Sequence, residues 1–74
     1  MTTDRLEVLE TVKWCHAHAQ AIQDLATAGH VESQRLIMCF KIWYAGEKLG
    51  AIKNPNDVEF IENVNQYKNA GYLP

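Results

Sequence analysis

The sequence predicts an all-α fold: an antiparallel helical hairpin plus a third, amphipathic helix, in a single helical domain over residues 1–74. Three observations predict it. Apolar residues recur at helical spacing in three segments, at about residues 4–28, 31–50 and 55–69. Glycine or proline separates these segments. The middle segment is apolar around most of its circumference, which is typical of a buried helix.

The first helix is predicted to begin after an N-cap at Thr3 or Asp4 and to end at Ala28. Steps of about 100° per residue place six small or apolar side chains on one face: Val8, Val12, Cys15, Ala19, Ile22 and Ala26. Gly29 is predicted at the C′ position, where a left-handed backbone suits a residue without a Cβ. The short turn over residues 28–30 then predicts that the first two helices are antiparallel.

The second helix contains the run Leu36–Ala45, in which Lys41 is the single charged residue. A narrow polar stripe recurs every seven residues along this helix, at Gln34, Lys41 and Lys48. A β-strand over Met38–Tyr44 is the alternative, because Ile, Phe, Trp and Tyr favour strands. The helix is preferred because the sequence contains no second strand pattern to pair with it.

The third helix is predicted to begin with Asn54 as the N-cap and Pro55 at the first helical position. Its apolar face comprises Phe60, Ile61, Val64 and Tyr67. One such face can cover one flank of the second helix but not both.

A short chain with so apolar a helix predicts association, and we expect a homodimeric bundle in which Trp43 is buried only when two copies meet. The predicted interface residues lie in the second helix: Met38, Phe40, Ile42, Trp43 and Tyr44. The alternative is a monomer in which the third helix and residues 72–74 cover the second helix.

Cys15 and His18 share a helical face and suggest a metal or nucleophile pair. A zinc site needs further ligands, and Cys39 or His30 would have to supply them. The hairpin places Cys39 opposite residues 19–21, a turn or more from Cys15. A Cys–His nucleophile would also need an orienting third group, which the sequence does not offer. No metal, no cofactor and no enzymatic activity are therefore predicted.

His18 lies on the apolar side of the first helix, and Glu47 lies on the inner side of the second. A buried polar contact of Glu47 with His18 or with Thr11 is predicted, and its expected role is to fix the helix register. A pH switch at His18 is the alternative.

The charge pattern disfavours nucleic acid, since the net charge is −2 and the seven Lys and Arg residues are scattered. The segment around residues 25–35 resembles a helix-turn-helix, but its second helix lacks the polar side chains that read bases. No apolar segment approaches the roughly 20 residues that span a bilayer, and the amino terminus lacks the pattern of a signal peptide. Two cysteines do not form a disulfide framework. We expect a cytoplasmic protein.

The function predicted from these observations is that of a small non-enzymatic protein-interaction module. It would act as a regulator, adaptor or inhibitor by binding a partner protein, as a homo-oligomer. The alternative is a ligand-sequestering oligomer that binds a nucleotide-like molecule at subunit boundaries. In that case the aromatic group of Trp14, Phe40, Trp43 and Tyr44 would supply a ring that stacks on the planar ligand, and a cation would meet the phosphate: Arg35, Lys41 or Lys48.

Overall fold

A computed structural model describes residues 5–50 and 54–73 of the chain. These residues form four helices and no strand: α1 (Arg5–Ala17), α2 (Ala19–Thr27), α3 (Val31–Lys48) and α4 (Asp57–Asn69). Helix α3 packs against α2 on one side and α4 on another, and α1 packs against α4. The predicted all-α architecture is confirmed. Among the described residues, no helix is long and apolar enough to cross a membrane.

The first predicted helix is interrupted at His18, whose backbone (φ −111°, ψ 12°) lies outside the helical range. The carbonyl oxygen of Trp14 accepts a hydrogen bond from the backbone N–H of His18 (3.1 Å) and a second from its imidazole Nδ1 (2.9 Å). The imidazole also stacks on the indole of Trp14, with 4.4 Å between ring centroids. The imidazole thus shares the carbonyl that accepts the backbone ladder bond, and the helix is distorted at this residue. The N-cap predicted at Thr3 or Asp4 lies outside the described residues.

The turn between α2 and α3 follows the sequence prediction. Gly29 has φ +99°, so the left-handed conformation predicted for this residue is confirmed. The backbone N–H groups of Gly29 and His30 donate to the carbonyls of Ala26 (3.1 Å) and Leu25 (2.9 Å), which is the Schellman pattern. This turn ends α2 and returns the chain so that α3 packs along it.

The start of α4 differs from the prediction, because the helix begins at Asp57 with Asn56 as its N-cap. Asn54 is buried and joins the turn to α3 instead of capping α4. Its side-chain Nδ2 donates to the carbonyl of Trp43 (2.9 Å), and its Oδ1 accepts from the backbone N–H of Asn56 (3.0 Å). The predicted cap at Asn54 is wrong because this amide makes a tertiary contact that a local pattern does not reveal.

The aromatic centre of the core lies between α3 and α4. The indole of Trp43 stacks on Phe60 with 4.7 Å between centroids and 17° between planes, and its Nε1 donates to Oδ1 of Asp57 (2.6 Å). Trp43 is only 5% exposed within one chain, so the expectation that it is buried only on association is wrong. The remaining buried apolar side chains are Val8, Cys15, Ile22, Ala26, Leu36, Ile61, Val64 and Tyr67.

Candidate interaction surface

The face of α3 that points away from the core carries a row of exposed side chains along the whole helix. Their spacing alternates between four and three residues, which keeps them within about 80° of one another around an α-helix. We call this row the outer stripe; it comprises Val31, Arg35, Met38, Ile42, Ala45 and Leu49. Leu49 follows the last residue of α3 and keeps a helical backbone (φ −70°, ψ −9°), so it continues the row.

Four members of the outer stripe are large apolar residues. Ile42 is 54% exposed and Leu49 is 86% exposed, and Val31 and Met38 are at least half exposed. Full burial of such a side chain contributes roughly 1.5–3 kcal/mol. Several exposed apolar side chains on one helix face, unlike a single exposed residue, are typical of an association site.

A groove of about 270 Å³ lies between the outer stripe and α4. Met38, Cys39, Ile42 and Phe60 give it an apolar lining. Its polar lining residues are Arg35, Asn56, Glu59 and Asn63. The stripe and the groove share three residues, so they form one continuous surface with an apolar centre and a polar edge.

The five predicted interface residues do not share a surface. Met38 and Ile42 belong to the outer stripe, whereas Trp43 is in the core and Phe40 is half-buried. Tyr44 is exposed but points about 160° away from Ile42 around the helix. Their assignment to an interface stays a prediction, and the structure groups only Met38 and Ile42.

Sequence reasoning missed the other members of the outer stripe, namely Val31, Arg35, Ala45 and Leu49. Their alternating spacing was present in the sequence. It was hidden because all the positions between Leu36 and Tyr44 except Lys41 are apolar, so the row does not stand out until the core residues are known.

The predicted contact of Glu47 with His18 or Thr11 is not formed. Glu47 instead accepts a hydrogen bond from the guanidinium of Arg5, which links α1 to α3. The hydroxyl of Thr11 donates to the carbonyl of Glu7 in its own helix (2.8 Å). His18 is engaged with the carbonyl of Trp14, so its imidazole makes a local contact and not one across the hairpin.

Hydrogen bonds that the sequence did not suggest lie at the start of α3, and the buried one between Ser33 and Tyr67 ties α3 to α4. The backbone N–H of Ser33 donates to Nδ1 of His30 (3.2 Å), so this nitrogen is an acceptor, and the Ser33 hydroxyl lies 2.7 Å from it. The Tyr67 hydroxyl lies 2.6 Å from the Ser33 oxygen, and Nε2 of His30 lies 3.4 Å from Glu32. The set resembles a Ser–His–Glu triad, but Ser33 is fully buried and cannot reach a substrate. Within this set His30 is the N-cap of α3, because its imidazole accepts from the Ser33 N–H.

Cys15 also lies in a setting unsuited to chemistry. Burial raises the pKa of its thiol to about 11, so the thiol is protonated at neutral pH and is a poor nucleophile. It contributes to an apolar cleft of about 320 Å³ between the first two helices and α3, together with Ile22, Ile37 and Phe40. Within residues 5–50 and 54–73, no three His, Cys, Asp or Glu side chains are placed to hold a metal ion.

The aromatic residues considered for stacking a planar ligand are already engaged. Trp43 is buried against Phe60. The ring of Tyr44 is stacked on Phe40 at 6.2 Å, and the ammonium of Lys48 lies 5.0 Å from its centroid. Tyr44, the most exposed of these aromatic residues, is therefore already in contact with the ring of Phe40 and the ammonium of Lys48.

Comparison of the chain with protein-family models, with curated proteins and with solved structures found no match in any of the three. We therefore infer the function from the chain's own geometry. Among the described residues, the outer stripe brings together more exposed large apolar side chains than any other helix face.

Proposed function

We propose that this protein is a non-enzymatic interaction module that pairs with a second copy of itself through the outer stripe. The paired form would act on a partner protein as an adaptor, regulator or inhibitor. The observation that carries this proposal is the outer stripe itself. Helix α3 packs into its own chain on the inner face and still presents four large exposed apolar side chains on the outer one.

The spacing of the stripe supports a helix as the occupant. Apolar positions that alternate four and three residues apart form the seam of paired helices, where each side chain inserts between residues of the facing helix. The stripe runs along α3, whose 18 residues extend about 27 Å. An occupant that covers all of it must be of similar length.

Composition supports a second copy as that helix. The outer stripe has one charged member, Arg35, and a small residue, Ala45, where two backbones can approach closely. Its apolar members are the residue types that pack in helical seams. A surface that is apolar along its centre can be its own partner in a twofold dimer, which is the commonest symmetry of soluble oligomers.

The test is the molar mass in solution, measured by light scattering over a wide range of concentration. The wild-type chain of 8.4 kDa should give twice that mass at high concentration. Ile42→Glu should give the monomer mass, because a carboxylate in the seam would be desolvated on pairing. The matched control is Val58→Glu on α4, since Val58 is 48% exposed and lies outside the stripe. A wild-type protein that stays at 8.4 kDa, or an Ile42→Glu variant that remains dimeric, would contradict the proposal.

A further inference from the structure

We propose that the two copies pair in antiparallel orientation, about a twofold axis that passes beside position 40 of α3. This inference rests on the proposed function and goes beyond it, since it fixes which residues of the two chains meet. It is carried by the identities of Arg35 and Ala45 at matching positions of the outer stripe, since the alternating spacing alone fits either orientation.

The outer stripe is symmetric about its own centre. Met38 and Ile42 lie two residues on either side of position 40, Arg35 and Ala45 lie five residues away, and Val31 and Leu49 lie nine residues away. An antiparallel twofold pairing at this centre therefore places each member level with a different member of the partner's stripe. Six positions form three kinds of pair, each occurring twice.

Each of the three pairs is chemically compatible. Met38 meets the partner's Ile42 at the centre, where the flexible thioether can fill the space beside a branched side chain. Arg35 meets the partner's Ala45, so its apolar stem can lie across the small residue while the guanidinium reaches water. Val31 meets the partner's Leu49 at each end, which covers the most exposed large apolar side chain among the described residues.

A parallel pairing would match each residue with its own copy. Arg35 would then face the partner's Arg35 within the seam, where like charges are unfavourable because water is excluded. Ala45 would face the partner's Ala45 and leave a gap. The antiparallel arrangement brings Lys41 near the partner's Lys41, but these exposed side chains flank the seam and remain screened by water and salt.

The first test adds a charge at Ala45. In the antiparallel dimer the carboxylate of Ala45→Glu faces the partner's Arg35, twice per dimer, and should lower the dissociation constant by about tenfold. In a parallel dimer the two new carboxylates face each other, and the dissociation constant should rise. Ala45→Gln is the matched control, since it adds a side chain of similar size without charge. Sedimentation equilibrium measures the dissociation constants of the wild-type, Ala45→Glu and Ala45→Gln dimers. Weaker pairing for Ala45→Glu than for Ala45→Gln would overturn the inference.

The second test uses disulfide formation in a Cys39→Ser background, where the remaining Cys15 is buried. Arg35→Cys and Ala45→Cys variants are oxidised separately and as an equimolar mixture. Antiparallel pairing predicts that crosslinked dimer forms in the mixture at about ten times the yield of either variant alone, because the thiols meet only between unlike chains.

The outcomes of these tests separate the two proposals. Crosslinking of each variant alone would overturn the antiparallel pairing and leave the docking of a second copy intact. If the Cys39→Ser protein is a dimer but no sample forms a crosslink, the proposed pairing of Arg35 with the partner's Ala45 would be overturned. A wild-type chain that is monomeric at every concentration would overturn the proposed function together with this inference.

Discussion

Two adjacent residues of α3, Ile42 and Trp43, illustrate how differently the two faces of one helix are used. Trp43 is 5% exposed, stacks on Phe60 and donates its N–H to Asp57. Ile42 is 54% exposed on the outer stripe. The inner face is therefore completed by the chain's own α4, whereas the outer face is left exposed. The sequence of a helix that is apolar around most of its circumference does not by itself indicate which face its own chain covers.

The largest expected effect of a substitution is on the inner face. Trp43→Ala removes the stack on Phe60 and leaves the carboxylate of Asp57 without its buried donor. We expect the free energy of unfolding to fall by about 3–5 kcal/mol, as for other large core aromatics. Chemical denaturation followed by circular dichroism measures this loss. Ile42→Ala is the comparison, and at concentrations where the chain is monomeric it should cost less than about 1 kcal/mol. Similar losses for both variants would remove the distinction between the faces.

A smaller effect is expected at Gly46, where α3 meets the turn before α4. A Cβ at this position would lie 2.7 Å from Oδ1 of Asn54, so Gly46→Ala should push the Asn54 amide away from the carbonyl of Trp43. We expect a loss of about 1–3 kcal/mol in the free energy of unfolding. Helix propensity alone predicts the opposite sign, since alanine stabilises a helix interior by about 1 kcal/mol relative to glycine. A stabilised Gly46→Ala variant would therefore show that this contact is not tight.

The smallest effect concerns the pH dependence contributed by Cys15. Burial raises the pKa of its thiol from 9.0 to about 11, so the folded state holds this proton more tightly than the unfolded state. The resulting stabilisation is complete below about pH 9 and is lost as the pH rises towards 11. The free energy of unfolding of the Cys39→Ser protein should therefore fall faster over this range than that of Cys15→Ala/Cys39→Ser. If the free energy of unfolding falls equally with pH in the two proteins, the buried placement of the Cys15 thiol would be contradicted.

Much of the fold was predictable because the relevant information is local. The apolar periodicity and the glycine after Ala28 determine three helical segments and the turn at Gly29. The break at His18 was not predictable, since it depends on an imidazole that bonds to the carbonyl of Trp14. The role of Asn54 depends in the same way on a carbonyl eleven residues earlier in the chain.

The candidate site was predicted only in part. Met38 and Ile42 were expected at an interface because the whole of α3 was expected to need covering. The structure shows that α4 covers the Trp43 side, and only then does the alternating row from Val31 to Leu49 become visible. The sequence contains the row, but the three-dimensional contacts are needed to separate it from the core.

The central claim is that the inner face of α3 packs within one chain and that the outer stripe pairs with a second chain. Its most direct test is to measure the mass and the near-ultraviolet circular dichroism of the Ile42→Glu variant in one sample. We expect a monomer of about the wild-type chain mass, 8.4 kDa, with the aromatic signal of the wild-type protein. That result is expected because Trp43 and Phe60 stack within one chain. A monomer that has lost its aromatic signal would show that the core requires two chains, and a variant that stays dimeric would show that the outer stripe is not the interface.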